Sequence, residues 1–183
     1  MATIVKREDY FDAAIEILSA DDHAGLKQAP LCDRLKVTTG SFYNYFGSWA
    51  GFKTEFLRHW LDERTVQLAE MARAEVEMDR RLAVLIEFAC ALPHSAESAI
   101  RAWAHSDAEV RDVQVTVDVQ RFQITLETIA AIRGEGPEAE KFAHMGMFIL
   151  AGYQQNHPLQ DVEILRWALD RAFADVIESL GRP

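Results

Sequence analysis

The sequence predicts an all-α protein, and three observations carry that expectation. Apolar residues recur at steps of three and four through nearly every segment, only one short run alternates as a strand would, and the breaks fall at glycine, proline and capping residues. The exception is Val113-Gln114-Val115-Thr116-Val117-Asp118-Val119. Its continuation argues for helix, because Val115, Val119, Phe122 and Leu126 keep one face and no turn residue comes before Gly134.

About nine helices follow in order. The first spans about Arg7 to Ala20, with Phe11, Ala14, Ile15 and Leu18 on one face. A short second, about Leu26 to Leu35, tolerates Pro30 because it falls in the opening turn. The third spans about Thr39 to Phe46, and Gly47-Ser48 then breaks the chain, with Ser48 placed to cap a long fourth helix reaching about Glu75. That helix carries Phe52, Phe56 and Trp60. A fifth holds Leu85, Phe88 and Leu92 and ends at Pro93-His94-Ser95; a short sixth carries Ile100 and Trp103. Gly134-Glu135-Gly136-Pro137 closes the seventh and opens the eighth, and Asn156-His157-Pro158 precedes a ninth, about Asp161 to Leu180. The organisation is a three-helix head joined by the fourth helix to a helical bundle, with the boundary between residues 1–47 and 48–183.

Composition narrows the function. With 183 residues, 49% of them hydrophobic, the chain can fill a real core. The net charge of -10 argues against a general nucleic-acid coat protein, since counterion release needs cations facing phosphates. The charge is unevenly spread: residues 1–60 hold seven Lys/Arg against eight Asp/Glu, and residues 61–183 hold twelve against twenty-one. A nearly neutral head on an acidic body suits a protein that presents only its head to DNA. Cys32 and Cys90 lie far apart in apolar contexts and read as buried thiols of a reducing cytoplasm. The N-terminus has no charged leader followed by an apolar run, and no stretch reaches the ~18 apolar residues needed for a membrane span, so a cytoplasmic location is expected. His23, His59, His94, His105, His144 and His157 are scattered without ligand spacing, and neither a phosphate loop nor a nucleophile elbow is present. No metal, cofactor or enzymatic activity is expected.

Two short helices, a tight turn and a long following helix form the helix-turn-helix arrangement, whose second short helix enters the major groove. Here that helix is rich in hydroxyl and amide groups (Thr38, Thr39, Ser41, Tyr43, Asn44, Tyr45), where a purely structural helix favours alanine, leucine and charge. Gly40 permits close approach of backbone or phosphate. Val37, Phe42 and Phe46 supply the apolar anchor.

The run Val37-Thr38-Thr39-Gly40-Ser41-Phe42-Tyr43-Asn44-Tyr45-Phe46 resembles the reading helix of the tetracycline-repressor (TetR) family of transcriptional regulators, and the resemblance covers about Arg7 to Leu57. It implies phosphate contacts from Thr38 and Tyr43 and base-edge contacts from Thr39, Ser41 and Asn44. Asn44 is the candidate for adenine, because a carboxamide pairs bidentately with N6 and N7. The chain departs from the family where Lys36 replaces a turn glycine, Lys27 replaces threonine and Trp49 replaces lysine. Losing that lysine removes a phosphate contact, which Lys27, Lys36 or Lys53 would replace.

The resemblance also implies a homodimer on palindromic double-stranded operator DNA, released by a small-molecule effector, with no membrane partner. Phe142, Gly146, Ile149 and Tyr153 share a face of the eighth helix, and Val162, Leu165, Leu169, Phe173, Val176 and Leu180 form a stripe on the ninth. That stripe is either the domain's own core or a partner surface, and the resemblance makes it the dimer interface. An effector pocket would draw on Phe88, Trp103, Arg121, Phe122, Thr125, Met147 and Phe148; apolar residues of this kind are more often plain core, and Arg121 reads either as the partner of an acidic ligand or as that of a nearby carboxylate. His105 and Gln114 are further polar candidates. The leading expectation is a ligand-responsive repressor. A helical ligand-binding or protein-interaction module with weak or lost DNA binding is the alternative, which Trp49 and the acidic charge keep open; a small helical enzyme is a distant third.

Overall fold

A computed structural model describes residues 5–178. Those residues form α1 (Arg7–Gly25), α2 (Gln28–Leu35), α3 (Thr39–Phe46), α4 (Trp49–Leu61), α5 (Gln67–Ala74), α6 (Met78–Ala91), α7 (His94–Trp103), α8 (Ala108–Arg133), α9 (Pro137–Gln155) and α10 (Val162–Glu178). No strand occurs among the described residues, and Val113–Val119 lies inside α8. Leu180 falls outside them. No single helix among them is long and apolar enough to cross a membrane.

The helix order matches the sequence expectation, and the departures are local. The long fourth helix is two helices, α4 and α5, separated by a π turn at Asp62–Val66. A π turn inserts one residue into the helical repeat, leaving no proline or glycine signal to announce it. Helix α1 extends past Ala20, but only across a kink at Asp22, where φ is 57°. Pro93 does more than end α6: it stands at the N-cap of α7, where its missing N–H costs nothing.

Packing divides the chain into two compact units, Met1–Leu61 with Pro93–Gln114, and Asp62–Leu92 with Val115–Pro183. The sequence boundary at 47/48 rests on function, whereas the packing boundary adds α4, α7 and the start of α8 to the head.

The first unit is built on aromatics. Tyr10, Phe42, Phe52 and Phe56 are fully buried, with Phe11 and Phe46 nearly so. Their rings meet at 5.1–6.3 Å between centroids, mostly tilted or edge-on, as the ring quadrupole favours. Burying each contributes on the order of 2 kcal/mol. Helix α7 packs along α1, with Ala96, Ala99 and Ile100 buried and the Trp103 ring stacked on His23. Buried Trp60 of α4 donates its indole N–H to Glu97 Oε1 of α7 at 3.3 Å.

In the second unit α9 packs on α10, α10 on α6, and α6 on α5. The core joins Leu82, Ile86, Ile129, Ala143, Leu150, Leu165, Leu169, Phe173 and Val176. Gly146 allows the α9–α10 approach, since a β-carbon there would stand 2.6 Å from Phe173 Cζ.

Candidate nucleic-acid interface and ligand cavity

The reading element begins where α2 stops. Lys36 takes a left-handed conformation (φ 55°, ψ 42°), which terminates α2 and turns the chain into α3. Thr38 then caps α3, its Oγ1 accepting the Ser41 N–H at 3.2 Å. Buried Phe42 and Phe46 anchor the helix. On the opposite side Thr39, Gly40, Tyr43 and Asn44 are exposed at four-residue steps. A β-carbon at Gly40 would meet only Thr38 Oγ1, at 3.7 Å. No internal contact therefore requires a glycine at this position.

Lys27 and Lys36 stand at the N-cap and C-cap of α2; both are exposed and neither enters an ion pair among the described residues. The Tyr43 hydroxyl makes a long contact with Gln28 Oε1 at 3.4 Å and stays half-exposed.

Three sequence candidates are occupied elsewhere. Half-buried Ser41 holds its hydroxyl 3.2 Å from the Tyr10 hydroxyl. Tyr45 donates its hydroxyl to the Val5 carbonyl at 2.8 Å, and its ring packs on Tyr10 and Phe46, so it braces the N-terminal segment. Lys53 is not a free cation. Its Nζ lies 2.7 Å from Asp107 Oδ2 and 2.9 Å from Glu109 Oε2, tying α4 to the α7–α8 corner, while Thr54 donates to Glu109 Oε1 at 2.5 Å. Burial alone would lower the Lys53 pKa, but the two carboxylates outweigh it and raise it; Lys53 in turn holds Asp107 below the usual carboxylate range, and Thr54 with Lys53 does the same for Glu109. Proximity in sequence to the reading helix suggested a phosphate contact, and only the fold reveals carboxylates 54 and 56 positions downstream.

Trp49, at the position of the family's lysine, stacks over Phe42 and Phe52 and shields the aromatic core. Arg7 is likewise engaged, pairing with Glu55 and donating to the Tyr45 carbonyl at 2.8 Å.

The second unit holds a mostly apolar cavity that opens to solvent. Phe88, Arg121, Thr125 and Met147 line it. Trp103, Phe122 and Phe148 do not. Trp103 belongs to the first unit, against His23; Phe122 meets the His144 ring at 4.6 Å; and Phe148 points outward, 71% exposed. His105 is exposed, and Gln114 is buried at the end of the first unit. Sequence reasoning missed Arg64 and Thr65, which line the cavity from the π turn.

The expected dimer stripe is also displaced. Leu165, Leu169, Phe173 and Val176 of α10 and Gly146 of α9 are buried in the chain's own core, with Phe142, Ile149 and Tyr153 half-buried against it. The exposed apolar residues lie on other faces: Phe148 of α9 at 71%, and Ile164 and Trp167 of α10 at 60% and 64%. The hydrophobic stripe marks the side facing inward, and Val162, at 40% exposure, already lies off it.

No family model matches the chain, and no curated protein matches it. Solved structures do. A transcriptional regulator from Rhodococcus sp. aligns at a TM-score of 0.76 with 15% identity, covering 95% of this chain and 97% of its own. A TetR transcription regulator from Haloarcula marismortui aligns at 0.74 with 18% identity over 94% and 96%. FadR from Bacillus subtilis, in complex with stearoyl-CoA, aligns at 0.68 with 15% identity over 91% and 97%. The chain shares the helical fold of these regulators over more than nine-tenths of its length.

Proposed function

We propose that this protein is a DNA-binding transcriptional regulator that responds to a small apolar ligand, acting in the cytoplasm as a homodimer. One observation carries the reading: α3 is held from behind by Phe42 and Phe46 and offers Thr39, Tyr43 and Asn44 on an exposed face, while Lys27 and Lys36 at the two ends of the preceding helix are exposed as well. An exposed hydroxyl and amide face on a short, firmly anchored helix suits base-edge reading, and exposed cations suit phosphates. Residues 1–47 would form the DNA-binding part and 48–183 the part that dimerises and takes the effector. The cavity is the effector site, and the TetR-like fold, with FadR solved bound to stearoyl-CoA, supports that assignment. Ligand binding would favour a state of the protein with lower operator affinity, making it a repressor.

The dimer surface we infer draws on the exposed apolar residues of α9 and α10, Phe148, Ile164 and Trp167. Side chains of this size in water are what a partner surface supplies.

The reading is tested by footprinting on the DNA upstream of the protein's own coding region. Protection at low salt is expected, and Asn44→Ala should lower affinity for the protected sequence far more than for random DNA. A folded dimer that protects nothing at low salt refutes it. Equal losses on both DNAs would remove Asn44 from base reading.

A further inference from the structure

The cavity has one polar end, and its chemistry is unusual. Of its described lining residues only Arg64, Thr65, Arg121 and Thr125 are polar, and none is acidic. They are neighbours: Arg121 Nη2 donates to the Arg64 carbonyl at 3.3 Å, and Thr125 Oγ1 donates to the Arg121 carbonyl at 2.8 Å. The remaining wall, including Leu68, Leu82, Leu85, Ile86, Phe88 and Phe173, is aliphatic or aromatic.

Three threonines of this unit show what the π turn changes. Thr125 and Thr128 lie in regular α-helix, and each hydroxyl donates to the carbonyl four residues back at 2.8 Å. Thr65 lies in the π turn, and its hydroxyl makes no such bond. Its Oγ1 is buried in a residue 2% exposed and has no hydrogen-bond partner among the described residues. Leaving a buried hydroxyl unsatisfied costs stability, and this one belongs to the wall of a cavity that Arg64 and Arg121 also line, with Arg121 Nη2 at the carbonyl of the residue next to Thr65.

Building on the cavity as the effector site, we propose that it takes an amphipathic monocarboxylate, with an apolar tail along the Leu82–Phe88–Phe173 wall and the carboxylate at Thr65 and Arg121. A carboxylate oxygen accepts the Thr65 O–H, and the arginines neutralise its charge. A cationic head would meet the lining arginines and no lining carboxylate. A neutral head would satisfy Thr65 and could accept a hydrogen bond from a guanidinium N–H, but would gain no charge pairing. The same contact favours the π form of Asp62–Val66, the segment that directly follows α4 in the chain.

The test uses decanoate, 1-decanol and decyltrimethylammonium as probes on the full-length protein, by calorimetry and thermal shift. Decanoate should bind at least about tenfold more tightly than decanol, and the ammonium should not bind. Thr65→Val should weaken decanoate about tenfold without lowering the melting temperature of the ligand-free protein, and Thr65→Ser should restore binding. Arg121→Gln should abolish the preference for decanoate over decanol. Binding of decanol or the ammonium as tightly as decanoate overturns the carboxylate assignment and leaves the cavity as an apolar site. Failure of all three probes removes the ligand reading itself. A Thr65→Val protein that is destabilised but binds decanoate normally assigns the hydroxyl to the fold and overturns its role in binding.

Discussion

Replacing Lys53 by methionine separates a structural cation from a DNA-binding one. The substitution keeps most of the apolar stem and removes the ammonium, leaving Asp107 and Glu109 at the α7–α8 corner without their shared cation from α4. Lys53 and Asp107 have side chains 18% and 23% exposed, so their pairing is worth about 2 kcal/mol as a charged hydrogen bond. Glu109 is 38% exposed and adds no more than about 0.5 kcal/mol after solvent screening. The loss at pH 7 should therefore be about 2–3 kcal/mol, or roughly 5–10 °C in melting temperature for a chain of this size. The pH dependence is diagnostic. Both carboxylates have lowered pKa values in the folded protein, so their stabilisation is present above the ordinary carboxylate pKa and is lost as pH falls through the lowered one. The raised Lys53 pKa extends the pairing in the other direction, with its contribution lost only as pH rises through that value. Urea unfolding of both proteins should show the full difference at pH 7 and a smaller one at pH 3, below the ordinary carboxylate range. Equal differences at both pH values would refute the charge pairing. An unchanged stability with a weaker salt dependence of DNA binding would make Lys53 a phosphate contact instead.

Two further substitutions probe the head and the bundle. Lys36→Gly relieves a left-handed lysine, which costs about 1 kcal/mol relative to glycine, but gives back part of that in unfolded-chain entropy; the net gain should be under about 1 kcal/mol, while DNA affinity falls evenly across sequences and the salt slope drops by about one. A loss of stability, or an unchanged slope, would contradict the assignment. Trp167→Lys, at an exposed position on α10, should leave the melting temperature of a dilute sample nearly unchanged and convert the dimer to monomer in analytical ultracentrifugation. A dimer that persists with Trp167→Lys and Phe148→Lys combined places the interface elsewhere.

The helical order was legible because a helix writes its buried face at three- and four-residue steps, and its ends in residues with restricted or permissive backbones. Thr38 and Ser48 fall at their caps for that reason, accepting the amides of Ser41 and Gly51. The helix proposed to read DNA was legible as an element too, since its hydroxyl, glycine and aromatic positions lie within ten consecutive residues. The π turn was not, because its residues have ordinary helix-forming character and the extra residue leaves no compositional trace. Neither Arg64 nor Thr65 could be assigned to the cavity on periodicity alone.

By itself, then, the sequence determined which segments are helical, which side of each is apolar, and which short helix carries the hydroxyl and amide groups of a reading element. Those are local properties, set by backbone preference and by the spacing of side chains along one helix. Tertiary structure decided what each side chain meets. It turned Lys53 from a candidate phosphate contact into the centre of an ion-pair clasp, and Leu165, Leu169 and Phe173 from a partner surface into core. It also left the Thr65 hydroxyl unspent on the wall of a cavity. Charge pairing and burial depend on groups tens of positions away in the chain, and only folding brings them within the few ångströms over which those interactions act.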